Sequence, residues 1–186
     1  TRGQRLGLIG KNGAGKSTLL RILASIDHPD SGTVSVPQQV VVRYLDQEMA
    51  WDHNLSVYEA LFDGSDSAAN KILKKYFRIL DPSFSVNDEE FAQVAAEMDE
   101  VGGWDLQFRA TTIADKLGIR EDFLYRKLDT LSGGQIKRIG LAAALANQPD
   151  VLLLDEPTNH MDIDALEWLA DYLRPGGEGS ATAIVL

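Results

Sequence analysis

At 186 residues the chain is long enough to bury one core, and 18 Lys and Arg against 28 Asp and Glu leave it with a formal net charge of −10. It has no cysteine, which excludes disulfides and thiolate metal sites and suits a reducing cytosol. No apolar run reaches the roughly 18 residues that suggest a bilayer span, and no signal peptide opens the chain, so a soluble cytoplasmic protein is expected.

Leu6-Gly7-Leu8-Ile9 reads as a short apolar strand, and Thr18 to Ala24 has helical spacing. Between them, Gly10-Lys11-Asn12-Gly13-Ala14-Gly15-Lys16-Ser17-Thr18 matches the phosphate-loop pattern in its proper context of strand, loop and helix. Glycines at 10, 13 and 15 are expected to let the backbone turn tightly. Successive N–H groups, those of Asn12 and Ala14 included, would then aim at an anion held at the positive end of a helix. Lys16 adds a full charge for the β and γ phosphates, Ser17 a hydroxyl for Mg²⁺, and Thr18 a contact from the first helical turn. Val40 to Leu45 is the next apolar strand and should bring Gln47 to the same edge. A glutamine alone is usually a surface residue, so this assignment leans on its neighbours.

Residues 48–130 read as helical. Leu55 to Phe62 carries capping-box spacing from Ser56 to Glu59, and Ala68 to Leu80 is a basic amphipathic helix. Asn87 caps the next helix, in which Phe91, Val94, Ala95, Met98 and Val101 share a face; Trp104 to Leu117 follows after the Gly102-Gly103 break. Trp104 and Phe108, four apart, are expected in the core and not as a base-stacking platform. The segment holds 9 basic and 17 acidic side chains, which should repel a phosphate backbone unless the bases cluster. Lys71, Lys74, Lys75 and Arg78 fall on adjacent turns and read as a solvated face in preference to an RNA-facing stripe.

Ser132 is a good N-cap for a helix running to Ala146, so Ser132-Gly133-Gly134-Gln135 makes a second anion site. Val151-Leu152-Leu153-Leu154 reads as a parallel strand buried on both faces and ends in Asp155-Glu156. Open α/β sheets bind ligands at that end of their strands. There Asp155 can hold Mg²⁺ while Glu156 polarises an attacking water. Two phosphate loops exceed what one nucleotide needs. If the first binds a nucleotide in its own chain, the second is free for one held by another domain. Thr182 to Leu186 closes the chain as a buried-strand pattern.

In this order the motifs resemble the nucleotide-binding domain of the ATP-binding cassette (ABC) superfamily: Walker A at 10–18, Gln47 of the Q-loop, the signature at 131–135, Walker B at 151–156 and the D-loop at 160–162. Asn159-His160 before the D-loop, Tyr44 to Glu48, and Ile163 to Leu169 are similar to the ABC-F branch, the last to the first of its two cassettes. The resemblance implies an α/β fold: a P-loop NTPase with a mostly parallel sheet core over 1–47 and 131–186, and an inserted α-helical subdomain over 48–130 with a possible ABC-F arm. It implies a Mg²⁺-dependent ATPase with ATP and Mg²⁺ as ligands. Lys16, Gln47 and Glu156 would be catalytic, and Ser17, Gln47 and Asp155 would hold the metal. Two cassettes would sandwich ATP head to tail. Ser132 and Gly134 would touch the partner's γ-phosphate, and Asp162 would lie along the seam.

ABC-F proteins have no membrane domain and act on translation at the ribosome's tRNA exit region, so the implied partners are a second cassette and the ribosome with its tRNA. The alternative is the ATPase subunit of a membrane ABC transporter, against which the Asn159-His160 pair and the long helical segment argue. Both ends are expected to be cut, with the adenine-stacking aromatic residue and the switch histidine beyond them, so that the fragment alone is weakly active.

Overall fold

Four short strands pair in parallel into one sheet, in the order β1-β4-β3-β2: β1 is Arg5–Gly7, β2 Val42–Leu45, β3 Val151–Leu154 and β4 Thr182–Val185. The computed structural model describes residues 4–46, 51–63, 65–83, 85, 87–159, 161–174 and 182–185; Gln47, Glu48, His160 and Leu186 lie outside the described residues. One register row, Gly7–Val185–Leu154–Leu45, crosses the sheet at the carboxyl ends of its strands. Because all four strands run the same way, the segments that follow this row leave from one edge.

Leu152, Leu153 and Leu154 of β3 are buried in succession, as a strand covered on both faces requires. β1 is shorter than the apolar run suggests. Leu8 N–H still donates to Val185 O at 2.9 Å, but Ile9 is 97% exposed and belongs to the following loop. β2 starts at Val42 and not at Val40, because the Val40 N–H closes a turn onto Pro37 O and the Val41 N–H donates to the Asp150 carboxylate.

The chain divides into two units, Thr1–Met49 with Gln148–Leu186, and Ala50–Asn147. The first holds the sheet with α1 (Lys16–Leu23), which buries Leu20, and α7 (Ile163–Tyr172), which buries Ala165, Leu169 and Tyr172. The second is helical: α2 (Val57–Leu61), α3 (Ala68–Leu80), α4 (Asp88–Glu100), α5 (Gly103–Lys116) and α6 (Gly133–Ala146). The sequence motifs suggest a boundary at 131. The structure groups α6 with the helical unit, where it packs on α2 and α5.

Local chemistry sets the helix starts. Ser56 and Glu59 form a reciprocal capping box, and Ser67 and Asn87 each accept an N–H of the first turn, contacts that stabilise a helix by about 1 kcal/mol each. Phe77 stacks on Tyr58 and Phe62 at 5.7 and 5.6 Å between centroids, and the buried Asn70 satisfies itself by donating to Phe62 O.

Trp104 and Phe108 correct the expectation that both are core. The buried face of α5 is Leu106, Ala110, Ile113 and Ala114, which turns positions 104 and 108 away from it; Phe108 is 74% exposed, and Trp104 lies edge-on to Tyr76 at the rim. In α4 only Val94 and Met98 of the expected face are buried. The lysines of α3 are matched by carboxylates, Lys71 with Asp66, Lys74 with Asp63 and Lys75 with Glu97, as a solvated face would be. Among the described residues no helix is long and apolar enough to cross a membrane.

Candidate functional site

The phosphate loop starts three residues beyond the register row, and its glycines divide the labour unequally. Gly13 and Gly15 have φ of 78° and 87°, in the left-handed region where a side chain is strained. Gly10 is not among the positive-φ residues, and a Cβ there would meet the Lys16 stem at an ordinary 3.5 Å, so the expectation of three special glycines holds for two. Ala14 N–H donates to Lys11 O across the turn, and α1 begins at Lys16 with Gly15 as N-cap. No side chain caps this helix and no acid occupies its first turn, so the positive end of the helix is not neutralised locally. Gly10, Asn12, Gly13, Ala14, Gly15, Ser17 and Thr18 are all exposed. Lys16 Nζ donates to Gly10 O at 3.0 Å and Lys11 O at 3.2 Å, which folds its charge back over the loop.

The acidic pair leaves from the same edge. Asp155 is 2% exposed, its N–H donates to Leu45 O at 3.1 Å, and its Oδ2 accepts from the Tyr44 hydroxyl at 3.3 Å. Burial, and then the negative charges of Asp46 and Asp155, push the Tyr44 phenol well above its ordinary value, which favours the protonated form that donates to Asp155. Glu156 stands at φ 47°, uncommon for a residue with a Cβ, and its Oε2 accepts from Asn159 Nδ2 at 2.7 Å. Directly after β2, Asp46 accepts from Arg21 Nη1 at 3.0 Å, while Arg21 Nε donates to Asp27 at 2.7 Å, tying α1 to the end of that strand. The hydrogen bond and charge of Arg21 hold the Asp27 carboxyl below its usual range.

These donors suit a nucleotide with its metal. Ser17 Oγ and the Asp155 carboxylate are hard oxygen ligands of the kind Mg²⁺ takes. No group of three or more His, Cys, Asp or Glu able to hold a metal exists among the described residues, so phosphates and water would share the shell with the protein oxygens.

In the helical unit, Ser132 Oγ accepts from Gln135 N–H at 3.3 Å while Ser132 N–H donates to Gln135 Oε1 at 2.8 Å, a reciprocal cap on the 14-residue α6 with Ser132 and Gly133 exposed. Asp162 caps α7, its Oδ1 accepting from Ala165 N–H at 2.9 Å. Gln47 and His160 lie outside the described residues. Four contacts escaped the sequence: Tyr44 on Asp155, Asn159 on Glu156, Arg21 on Asp46, and Asp162 as a cap. Only the last had a local signal, an Asp ahead of an apolar helical run.

Residues 1–159 match the family profile described as ABC transporter. The chain is 37% identical over 175 residues to the "Uncharacterized ABC transporter ATP-binding protein YfmR" of Bacillus subtilis (strain 168), covering 91% of this chain and 27% of that protein. It is 37% identical over 176 residues to the "ATP-binding protein Uup" of Escherichia coli (strain K12), covering 92% and 27%. It therefore spans about a quarter of the length of these curated relatives. Among solved structures it superposes with a TM-score of 0.65 and 26% identity on the complex of "archaeal ribosomal stalk protein aP1 and archaeal ribosome recycling factor aABCE1", covering 100% of this chain and 29% of that one.

Proposed function

The chain belongs to the ABC transporter family of ATPase cassettes, and from that premise we propose that it hydrolyses ATP as an ABC-F type cassette paired head to tail with a second one. The reading rests on one observation: the phosphate loop after β1 and Asp155-Glu156 after β3 both leave from the register row Gly7–Val185–Leu154–Leu45.

The phosphates of ATP lie in the nest of residues 10–18, and Lys16 Nζ exchanges the carbonyls of Gly10 and Lys11 for β and γ oxygens. Ser17, Asp155 and Gln47 would hold Mg²⁺, which would supply charge to offset that of the phosphates. Glu156 accepts a proton from the water whose oxygen attacks the γ-phosphorus. As that bond forms, the bond to the bridging oxygen breaks and ADP leaves. Ser132, Gly133, Gly134 and Gln135, at the positive end of α6, receive the γ-phosphate of a nucleotide bound in the second cassette, and Asp162 lies along the seam.

In the whole protein, closure of the pair on ATP controls association with the ribosome and its tRNA in the cytoplasm. The relatives YfmR and Uup, which are ABC-F proteins, support this reading, as does a structural neighbour described as a ribosome recycling factor. Replacing Glu156 with Gln in the whole protein should abolish most turnover, on the order of 10²-fold or more, while ATP binding persists. The closed protein should then sediment with ribosomes in sucrose gradients only when ATP is present. Equal sedimentation with and without ATP would refute the ribosomal part of the reading.

A further inference from the structure

Glu156 is held in an unusual way for a residue at the end of a strand. Its φ of 47° is costly for any residue with a Cβ, and strain of this kind at a reacting group points to a geometry that the surroundings enforce. The chain is fixed up to Asp155 by the hydrogen bond from its N–H to Leu45 O. Beyond it, the turn closes from Asn159 N–H to Glu156 O, and the Asn159 side chain then returns to the Glu156 carboxylate, with Nδ2 to Oε2 at 2.7 Å. A carboxylate on a three-bond stem has free rotations that an unaided turn would leave open. The amide donor on Oε2 restricts them and so biases the direction in which the carboxylate presents its other lone pairs. The neighbouring acid is held by a different donor, the Tyr44 hydroxyl on Asp155 Oδ2, so the two carboxylates are drawn to separate partners.

We propose that Asn159 is a positioning residue for hydrolysis: its side-chain amide orients the Glu156 carboxylate toward the attacking water. This rests on Glu156 being the group that receives the proton. An amide suits the task because it donates a hydrogen bond without bringing a charge near the phosphates and without competing for the proton. Asn159 is exposed, so the bond adds little to stability, and its value lies in geometry.

The test uses the whole protein and three substitutions. Asn159→Ala should lower kcat by about 10- to 100-fold and leave the KM for ATP within about twofold, because Asn159 touches the base and not the nucleotide. Asn159→Asp keeps the size and turn preference of asparagine but puts a carboxylate where the donor was, so kcat should fall below that of the alanine variant. A residue needed only for the turn would give the opposite order, with aspartate close to the natural protein. In a Glu156→Gln background, Asn159→Ala should change turnover no further. The proposal is overturned if Asn159→Asp turns over as the natural protein does, or if Asn159→Ala acts through KM alone. Should Glu156→Gln itself leave turnover intact, the base assignment fails and this proposal fails with it. Loss of turnover in Glu156→Gln beside an active Asn159→Asp overturns the positioning role alone.

Discussion

Tyr44 shows how a side chain invisible to motif reading sets the state of a motif residue. It sits on β2 opposite Leu153, one step before the register row, and its hydroxyl reaches the buried Asp155. Burial raises the energetic cost of leaving that carboxylate short of a donor. Tyr44→Phe should therefore destabilise the protein by about 1 to 3 kcal/mol, read as a lower urea midpoint at unchanged slope. An unchanged midpoint would mean that the hydroxyl is replaceable by water. The residues proposed to touch phosphate are readable because the P-loop is contiguous and its chemistry is written in neighbouring letters. Tyr44 and Asn159 are not, since their value depends on where Asp155 and Glu156 come to lie.

The same divide separates the elements. Ser56, Asn87 and Ser132 were legible as caps because a cap is a contact over three residues, and α3 was legible because its period is carried by its own sequence. The exposure of Phe108 was not, because which face of α5 is covered is decided by the helices it packs against, α3, α4 and α6. The strand limits at Gly7 and Val42 were set by pairing with β4 and by a turn at Pro37 rather than by apolar runs. Gly118, just after α5, illustrates a backbone demand of this scale. It has φ 73°, and a Cβ would stand 2.9 Å from Arg138 Nη1. Gly118→Ala should cost about 1 to 2 kcal/mol, mostly for the left-handed backbone, since the arginine end can move aside. Urea unfolding checks this, and an unchanged midpoint would contradict the assigned strain.

At the scale of the whole molecule, acid sensitivity follows from carboxylates held by hydrogen-bond donors in the fold. Arg21 lowers Asp27, the Asn54 amides lower Asp52, and Ser83 lowers Asp81, each below the ordinary 3.8. A carboxyl whose value is lowered in the fold binds fewer protons there than in the unfolded chain. Its contribution is complete above the unfolded value and is lost as pH falls through the folded one. The urea midpoint should thus fall between pH 5 and pH 2, and Asp27→Asn with Asp81→Asn should flatten that dependence; an equally steep dependence in the double variant would exclude these residues. Tyr44 has the opposite sense. Its raised value contributes stability below the ordinary 10.0, lost as pH rises beyond it.

The division of the chain between two nucleotides is tested most directly by ATP binding to the monomeric cassette, titrated calorimetrically with Lys16→Ala and Ser132→Ala. In the proposed pairing Lys16 serves the nucleotide bound here, so its loss should weaken binding about 10- to 150-fold, the equivalent of a hydrogen bond to a charged group. In the same proposal Ser132 serves a nucleotide held elsewhere, so Ser132→Ala should leave the affinity of the folded protein within about twofold while costing about 1 kcal/mol of stability as a lost cap. Equal weakening by both substitutions would place the two loops on one nucleotide and contradict the account.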